Sequence, residues 1–394
     1  SFVAKQVDFG PRVPNLPSHS NCADYLTRKL STYGLTVEVQ KAEVENFRGD
    51  TLHLRNIIAQ YKPQNKARIS LLTHWDTRPY ADRDHEITQQ KMLPDGANDG
   101  GSGTAIMLEI ARLTQDIELD LGIDFFFFDG EETGPPEYDK SFAQTMNSYC
   151  LGSQYYCKHP LLKMNQEAGV LLDIVGGKQA TYSFEHQSVE QAYPAMLTFW
   201  ALAHRLGYED YFIEKKTRFV GNDDHVVFYK CSDVPIFALI EYDASRQSYN
   251  THQHKISDNL ENVKEIASVK SSDVKIEDVD QEEYQNEVVE IETAHEESSS
   301  SKDDKLKADA EKVRQDIKKE RNPHVVYDSF LKPGVTQEDN SKEGCSSKKK
   351  TKEEMEAAVA KMEQEAAKAR AAEKKSEEEQ AIKEREFLKK IIAV

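Results

Sequence analysis

The sequence predicts an α/β domain with a mixed, mostly parallel central sheet and helices on both faces, followed by a charged tail that is largely disordered or helical. Three observations predict it. Apolar runs of strand length alternate with segments of helical periodicity, carboxylates and imidazoles fall where those runs end, and the composition changes abruptly near residue 267. In chain order, Pro11, Pro14 and Pro17 precede Ser18-His19-Ser20, which can cap a helix. Cys22, Tyr25, Leu26, Leu30 and Tyr33 then recur at helical spacing until Gly34 stops the pattern. Thr36 to Gln40 and Thr51 to Tyr61 alternate as strands, and Ala67 to Thr73 is a buried strand with its charges at the ends. Gly101 to Leu113 is a helix with Ile106, Ile110 and Leu113 on one face. Strands recur at Gly122–Phe128, Gly169–Val175 and Val234–Ile240, interleaved with helices near Ser141–Cys157 and Val189–Leu206.

The chain has 394 residues and a formal net charge of −18. Residues 268–394 hold 25 basic and 32 acidic side chains, whereas residues 1–267 hold 31 of the 35 aromatics and 16 of the 18 glycines. The first part can therefore build a core and the second cannot. With a net charge of −11, the first part lacks the basic surface that general nucleic-acid binding needs. No run approaches the roughly 18 apolar residues of a membrane span, and the densest, Ile123 to Phe128, is broken by Asp124. The chain starts at Ser1 without a charged-then-apolar leader, so any signal peptide is expected to be absent already. Five cysteines (Cys22, Cys150, Cys157, Cys231, Cys345) form no CxxC pair and no disulfide framework, and each reads as a buried or idle thiol.

Open α/β sheets bind ligands beyond the carboxyl ends of their strands, and the polar residues gather there. His74-Trp75-Asp76 follows one strand, Asp129-Gly130-Glu131-Glu132 another, and Asp173 a third, while the loop after Ile240 leads to His252 and His254. Asp99 lies in the glycine-rich turn Asp95 to Gly103, which would equally serve as a simple helix cap. Adjacent Glu131 and Glu132 would repel inside a protein unless one met a counter-charge. One could then ligate a cation while its neighbour stayed free as general base and acid. His74 and Asp76, two apart in an extended segment, suit a ligand with its orienting partner. Asp173 sits in an apolar run where an unpaired carboxylate is costly, and Asp223-Asp224-His225 gathers acids beside an imidazole, with helix N-capping as the plainer alternative. His252 and His254 precede Asp258-Asn259-Leu260, which looks like a helix start, and the residues alone do not choose between them.

At these residues the sequence resembles the glutaminyl cyclases (glutaminyl-peptide cyclotransferases), particularly the bacterial branch, which share their fold with zinc aminopeptidases. The likeness runs from about Phe2 to Asn262. It rests on Phe9-Gly10-Pro11-Arg12-Val13-Pro14, His74-Trp75-Asp76-Thr77-Arg78-Pro79, Gly96-Ala97-Asn98-Asp99-Gly100, Phe128-Asp129-Gly130-Glu131-Glu132, Cys150-Leu151-Gly152-Ser153-Gln154-Tyr155 and Asp223-Asp224-His225. The resemblance implies one catalytic zinc held by Asp99, Glu132 and His254, with Glu131 as acid/base and Asp173 and Asp223 as supporting acids near the substrate amine. It implies N-terminal glutamine of peptides or proteins as substrate, pyroglutamate and ammonia as products, and an extracytoplasmic site of action. His254 is preferred over His252 because His254 to Asn259 follows the family's phrase.

Three departures bear on these expectations. Gln253 stands where the family commonly has an aromatic, and Gly100 replaces a serine of animal members, so a relay from Glu131 to Asp223 would need another bridge. The family's closing helix is expected to be short or absent, because the chain turns acidic from Asp273. The rival reading is a two-zinc aminopeptidase, for which His74, Asp99, Glu132, Asp173 and His254 supply all the ligands, a second ion lying between His74 and Asp173. A non-catalytic adaptor is the third reading, and an intact Glu131-Glu132 argues against it. In the tail, 268–350 reads as an acidic, low-complexity linker and 351–394 as a charged solvated helix, whose seam from Met355 to Ala369 fails at Glu373. No motif there names a partner.

Overall fold

The computed structural model describes residues 1–264, apart from 117–118, 120, 143–145, 218–220, 222 and 244–247. The linker and helix expected beyond 267, with Cys345, lie outside the described residues. The chain order is α1 (Phe2–Val7), α2 (Pro17–Thr32), β1 (Thr36–Glu45), β2 (Thr51–Tyr61), β3 (Arg68–His74), α3 (Gly101–Leu113) and β4 (Gly122–Phe128). Then follow α4 (Leu151–Lys158), β5 (Ala168–Asp173), β6 (Tyr182–Phe184), α5 (His186–Arg205), β7 (Phe212–Lys216), α6 (Asp224–Ser232), β8 (Ile236–Ile240), β9 (Tyr242–Asp243) and β10 (Ser248–Tyr249).

Six strands form the central sheet in the order β1-β2-β4-β3-β5-β8. The β1/β2 and β2/β4 pairs are antiparallel, and β4/β3, β3/β5 and β5/β8 are parallel. β4 shows why both faces are covered. Phe125 and Phe127 join one core with residues of α2, α3 and α5, while Phe126 and Phe128 join the opposite core with Tyr156 of α4 and Phe228 of α6. Side chains of a strand alternate between faces, so four consecutive phenylalanines demand an apolar layer on each. Each such ring contributes roughly 1.5–3 kcal/mol on burial. The interrupting Asp124 is satisfied rather than exposed: Arg68 grips it from Nε (2.9 Å) and Nη2 (2.5 Å), and Gln60 and Gln166 each donate at 2.8 Å.

Several sequence expectations need correction. The first long helix begins at Pro17, with Leu16 as its N-cap, because proline is pre-set for the first helical turn. Among the described residues of the expected helix Ser141–Cys157, a 3-10 turn at Met146–Ser148 and all but the last residue of α4 are helical, and the chain between them is not. Residues 258–264 form turns instead of starting a helix, and Val263 bridges to Gly177. Cys157 and Cys231 are not idle thiols but a disulfide, closing the last turns of α4 and α6 across 74 residues of sequence. Cys22 and Cys150 are buried free thiols.

Candidate functional site

The carboxyl ends of β3, β4 and β5 deliver His74, the Glu131-Glu132 turn and Asp173 to one rim, as parallel neighbours must. Asp99 arrives from the turn before α3. Gly100 is needed in that turn: its φ is +77°, and a Cβ there would lie 2.5 Å from the Asp76 carbonyl and 3.0 Å from the His74 ring. Arg12, fully buried, ties the turn down by donating to the carbonyls of Trp75, Asp95 and Gly96 at 2.6–3.0 Å. Asp258 completes it by accepting the Asn98 (2.7 Å) and Asp99 (3.1 Å) amides.

Two clusters result, sharing Asp99. Asp99, Glu132 and His254 present ligand atoms within 4.8 Å of one another, as do His74, Asp99 and Asp173. His254 Nε2 stands 2.8 Å from Glu132 Oε1 and 3.5 Å from Asp99 Oδ2. His74 Nε2 stands 3.0 Å from Asp173 Oδ1 and 3.1 Å from Asp99 Oδ1. His252 is absent from both clusters, its Nδ1 pairing with Ser257 instead. Asp76 orients more than His74 (3.5 Å): its two oxygens accept the Glu131 and Glu132 amides at 3.2 Å each.

The electrostatics are those of a place built for positive charge. Burial, and then the Glu132 charge, raise the Asp99 carboxyl above its usual range although His74 opposes them, and among the described residues its buried oxygens face only the His74 and His254 imidazoles. Burial pushes Asp173 up to about 7 although His74 opposes it. Burial also works against the Glu132 charge, but His254 and Arg78 outweigh it and hold that carboxyl below its usual range. These oxygen and imidazole donors, converging on Asp99, fit a divalent cation such as zinc.

Glu131 belongs to neither cluster. Burial, followed by the Glu132 charge, holds its carboxyl well above the usual range, and the Cys150 thiol donates to its Oε1 at 3.5 Å. Cys150 has a positive φ of 53°, as do Ile174 (49°), which follows Asp173, and His254 (57°). Such conformations are unfavourable for these residue types and gather at functional sites. Asp223 caps α6, the plainer alternative for it, and also lies 3.6 Å from His225 Nδ1. Asp224, pushed up to about 8 by burial and by Asp223, accepts from Ser153 of α4 at 2.5 Å. Gln253 is buried and its side-chain oxygen accepts from Arg83, so the position of the missing aromatic is occupied by a polar pair.

Sequence reasoning gave no site role to Arg78, Asp82, Cys150 or Tyr249. The hydroxyl of Tyr249 is pushed well above its usual range by burial and then by the charges of Asp223 and Asp173. Arg78 and Asp82, opposite charges four apart in the sequence, were the available signal, and the structure pairs them.

The model of peptidase family M28 matches residues 56–277. A zinc-dependent exopeptidase from Parabacteroides distasonis is 40% identical, with a TM-score of 0.64 over 67% of this chain and 90% of that one. The glutaminyl cyclase of Bacteroides thetaiotaomicron, solved bound to N-acetylhistamine, is 38% identical (TM-score 0.65, covering 67% and 89%). That of Tannerella forsythia is 39% identical (0.64, covering 67% and 90%). Aminopeptidase YwaD of Bacillus subtilis is 25% identical over 216 residues, 53% of this chain but only 40% of that protein's length.

Proposed function

The chain belongs to peptidase family M28, and we propose that it is a zinc-dependent glutaminyl cyclase, converting N-terminal glutamine of peptides or proteins to pyroglutamate with release of ammonia. The observation that carries this reading is a half-buried Glu131 standing beside, but outside, the Asp99/Glu132/His254 cluster, with a carboxyl whose burial and Glu132 neighbour favour taking up a proton. The 38–39% identity to two bacterial glutaminyl cyclases supports it.

Asp99, Glu132 and His254 would hold the zinc. Bound there, it supplies Lewis-acid polarisation of the substrate's side-chain amide carbonyl. Glu131 takes a proton from the α-amine, whose nitrogen bonds to the amide carbon. The same carboxyl then returns the proton to the departing amide nitrogen, and the carbon–nitrogen bond breaks to release ammonia. Asp173 and Asp223 orient the amine. Because amine and carbonyl belong to one residue, holding them together supplies effective molarity. The buried Cys150 thiol donates to Glu131 at the end of the relay where Gly100 offers no side chain.

A second reading, hydrolysis of N-terminal residues with two zinc ions, is favoured by the His74/Asp99/Asp173 cluster. Incubation with a Gln-initiated peptide separates the two. Ammonia and a pyroglutamyl peptide are expected; free glutamine would mean hydrolysis, and an unchanged peptide would sink both. We place the enzyme outside the cytoplasm, which the Cys157–Cys231 disulfide supports, since such bonds persist in oxidising compartments. Among the described residues no helix is long and apolar enough to cross a membrane.

A further inference from the structure

Behind the Asp99/Glu132/His254 cluster lies a second, fully buried ion pair that touches two of its three members. Arg78 is 2% exposed. Its Nη1 donates to the Glu132 carbonyl (3.0 Å) and the Gly134 carbonyl (3.2 Å), and reaches Glu132 Oε2 at 3.5 Å. Its Nη2 donates to Asp82 Oδ2 (2.6 Å) and the Pro135 carbonyl (3.0 Å), while Nε donates to Asp82 Oδ1 (3.2 Å). Asp82 Oδ2 also accepts the Glu137 amide at 2.8 Å. Its Oδ1 lies 3.6 Å from His254 Nδ1, a buried atom with no hydrogen-bond donor or acceptor closer among the described residues.

The geometry points to Arg78 and Asp82 as positioning residues that fix how Glu132 and His254 present themselves to the metal. Two things follow from the contacts. Asp82 is the carboxylate facing the Nδ1 side of His254, 3.6 Å away, so with a cation held between Nε2, Glu132 and Asp99 the ring proton would sit on Nδ1 toward Asp82. Arg78 holds the Glu132 backbone and carboxylate with one fork, and the same guanidinium holds Asp82, so the two ligands are set against each other through one rigid plane. A lysine could supply the charge but not the paired geometry.

This inference rests on the reading that Asp99, Glu132 and His254 bind zinc, and the test keeps the two apart. Zinc affinity of the full chain is measured by competition with a chromogenic chelator for the unmodified protein, Asp82→Asn, Arg78→Lys and His254→Ala. Asp82→Asn and Arg78→Lys are expected to weaken zinc about 10–100-fold, and His254→Ala to lose it. Should Asp82→Asn keep full affinity while His254→Ala loses zinc, the positioning role is overturned and the metal site stands. Full affinity in His254→Ala would overturn both. If the buried substitutions do not fold, nitrogen-15 NMR of the histidines in the unmodified zinc-loaded protein decides. A proton on His254 Nδ1 supports the inference, and a proton on Nε2 overturns it.

Discussion

At the scale of single residues the proposed mechanism divides the site into groups that hold charge and one, Glu131, that would move a proton. Glu131 differs from Glu132 only by which way the turn after β4 aims it, yet Glu132 meets His254 and Arg78 while Glu131 meets the Cys150 thiol. Glu131→Gln is therefore expected to keep its zinc and lose at least about 100-fold in kcat, the usual worth of a positioned proton carrier. Zinc content measured beside ammonia release checks this, and near-normal turnover would remove Glu131 from the mechanism. The residue types were legible in the sequence because strand-end carboxylates and a paired Glu-Glu carry a local cost that needs explaining. His254 could be preferred over His252 only through the likeness to the family's phrase, since both lie in one loop and nothing in their local pattern separates them.

At the scale of elements, α4 and α6 lie side by side, joined near the rim by Ser153 and Asp224 and at their far ends by the disulfide. Closing a loop of 74 residues restricts the unfolded chain, and its loss by Cys157→Ser with Cys231→Ser should cost about 2–4 kcal/mol, read as a lower denaturation midpoint. If the double variant unfolds at the wild-type midpoint, the bond carries no stability. On the other side, Glu185 caps α5 through the Gln187 and Ser188 amides and meets His225 of α6 at 3.3 Å. Burial opposes both charges. The His225 contact nevertheless lowers Glu185 to about 2, and Asp223 with Glu185 raises His225 to about 9. The glutamate's contribution is present above its ordinary range near 4.5 and fades as pH falls toward 2. The histidine's is full below about 6.5 and fades as pH rises through 9. Glu185→Gln should therefore destabilise most between about pH 4.5 and 6.5, by roughly 3–5 kcal/mol, in urea titrations at a series of pH values. A penalty independent of pH would show that the pair's charge is not what matters.

For the molecule as a whole, Asp99, Glu131, Glu132 and Asp173 crowd two imidazoles at the end of the sheet, so the folded state carries repulsion that a cation relieves. Removing zinc with a chelator should lower the melting temperature, and restoring it at about 100 times its Kd should return roughly 2.7 kcal/mol, or about 5–10 °C for a domain of this size. Differential scanning calorimetry checks this, with Glu132→Ala as the variant expected not to respond. A melting temperature indifferent to zinc in the unmodified protein would leave the clusters without a metal role.

The sequence by itself determined the layered α/β class, the doubly buried four-phenylalanine strand and the acids at the strand ends, because periodicity and strand-end position are local properties of the chain. Tertiary structure alone decided that Cys157 pairs with Cys231, that Cys150 reaches Glu131, and that Arg78 and Asp82 stand behind the Asp99/Glu132/His254 cluster. Each of those depends on distances between side chains brought together by strand order and helix packing. No pattern along the chain encodes such a distance until the sheet has placed both partners.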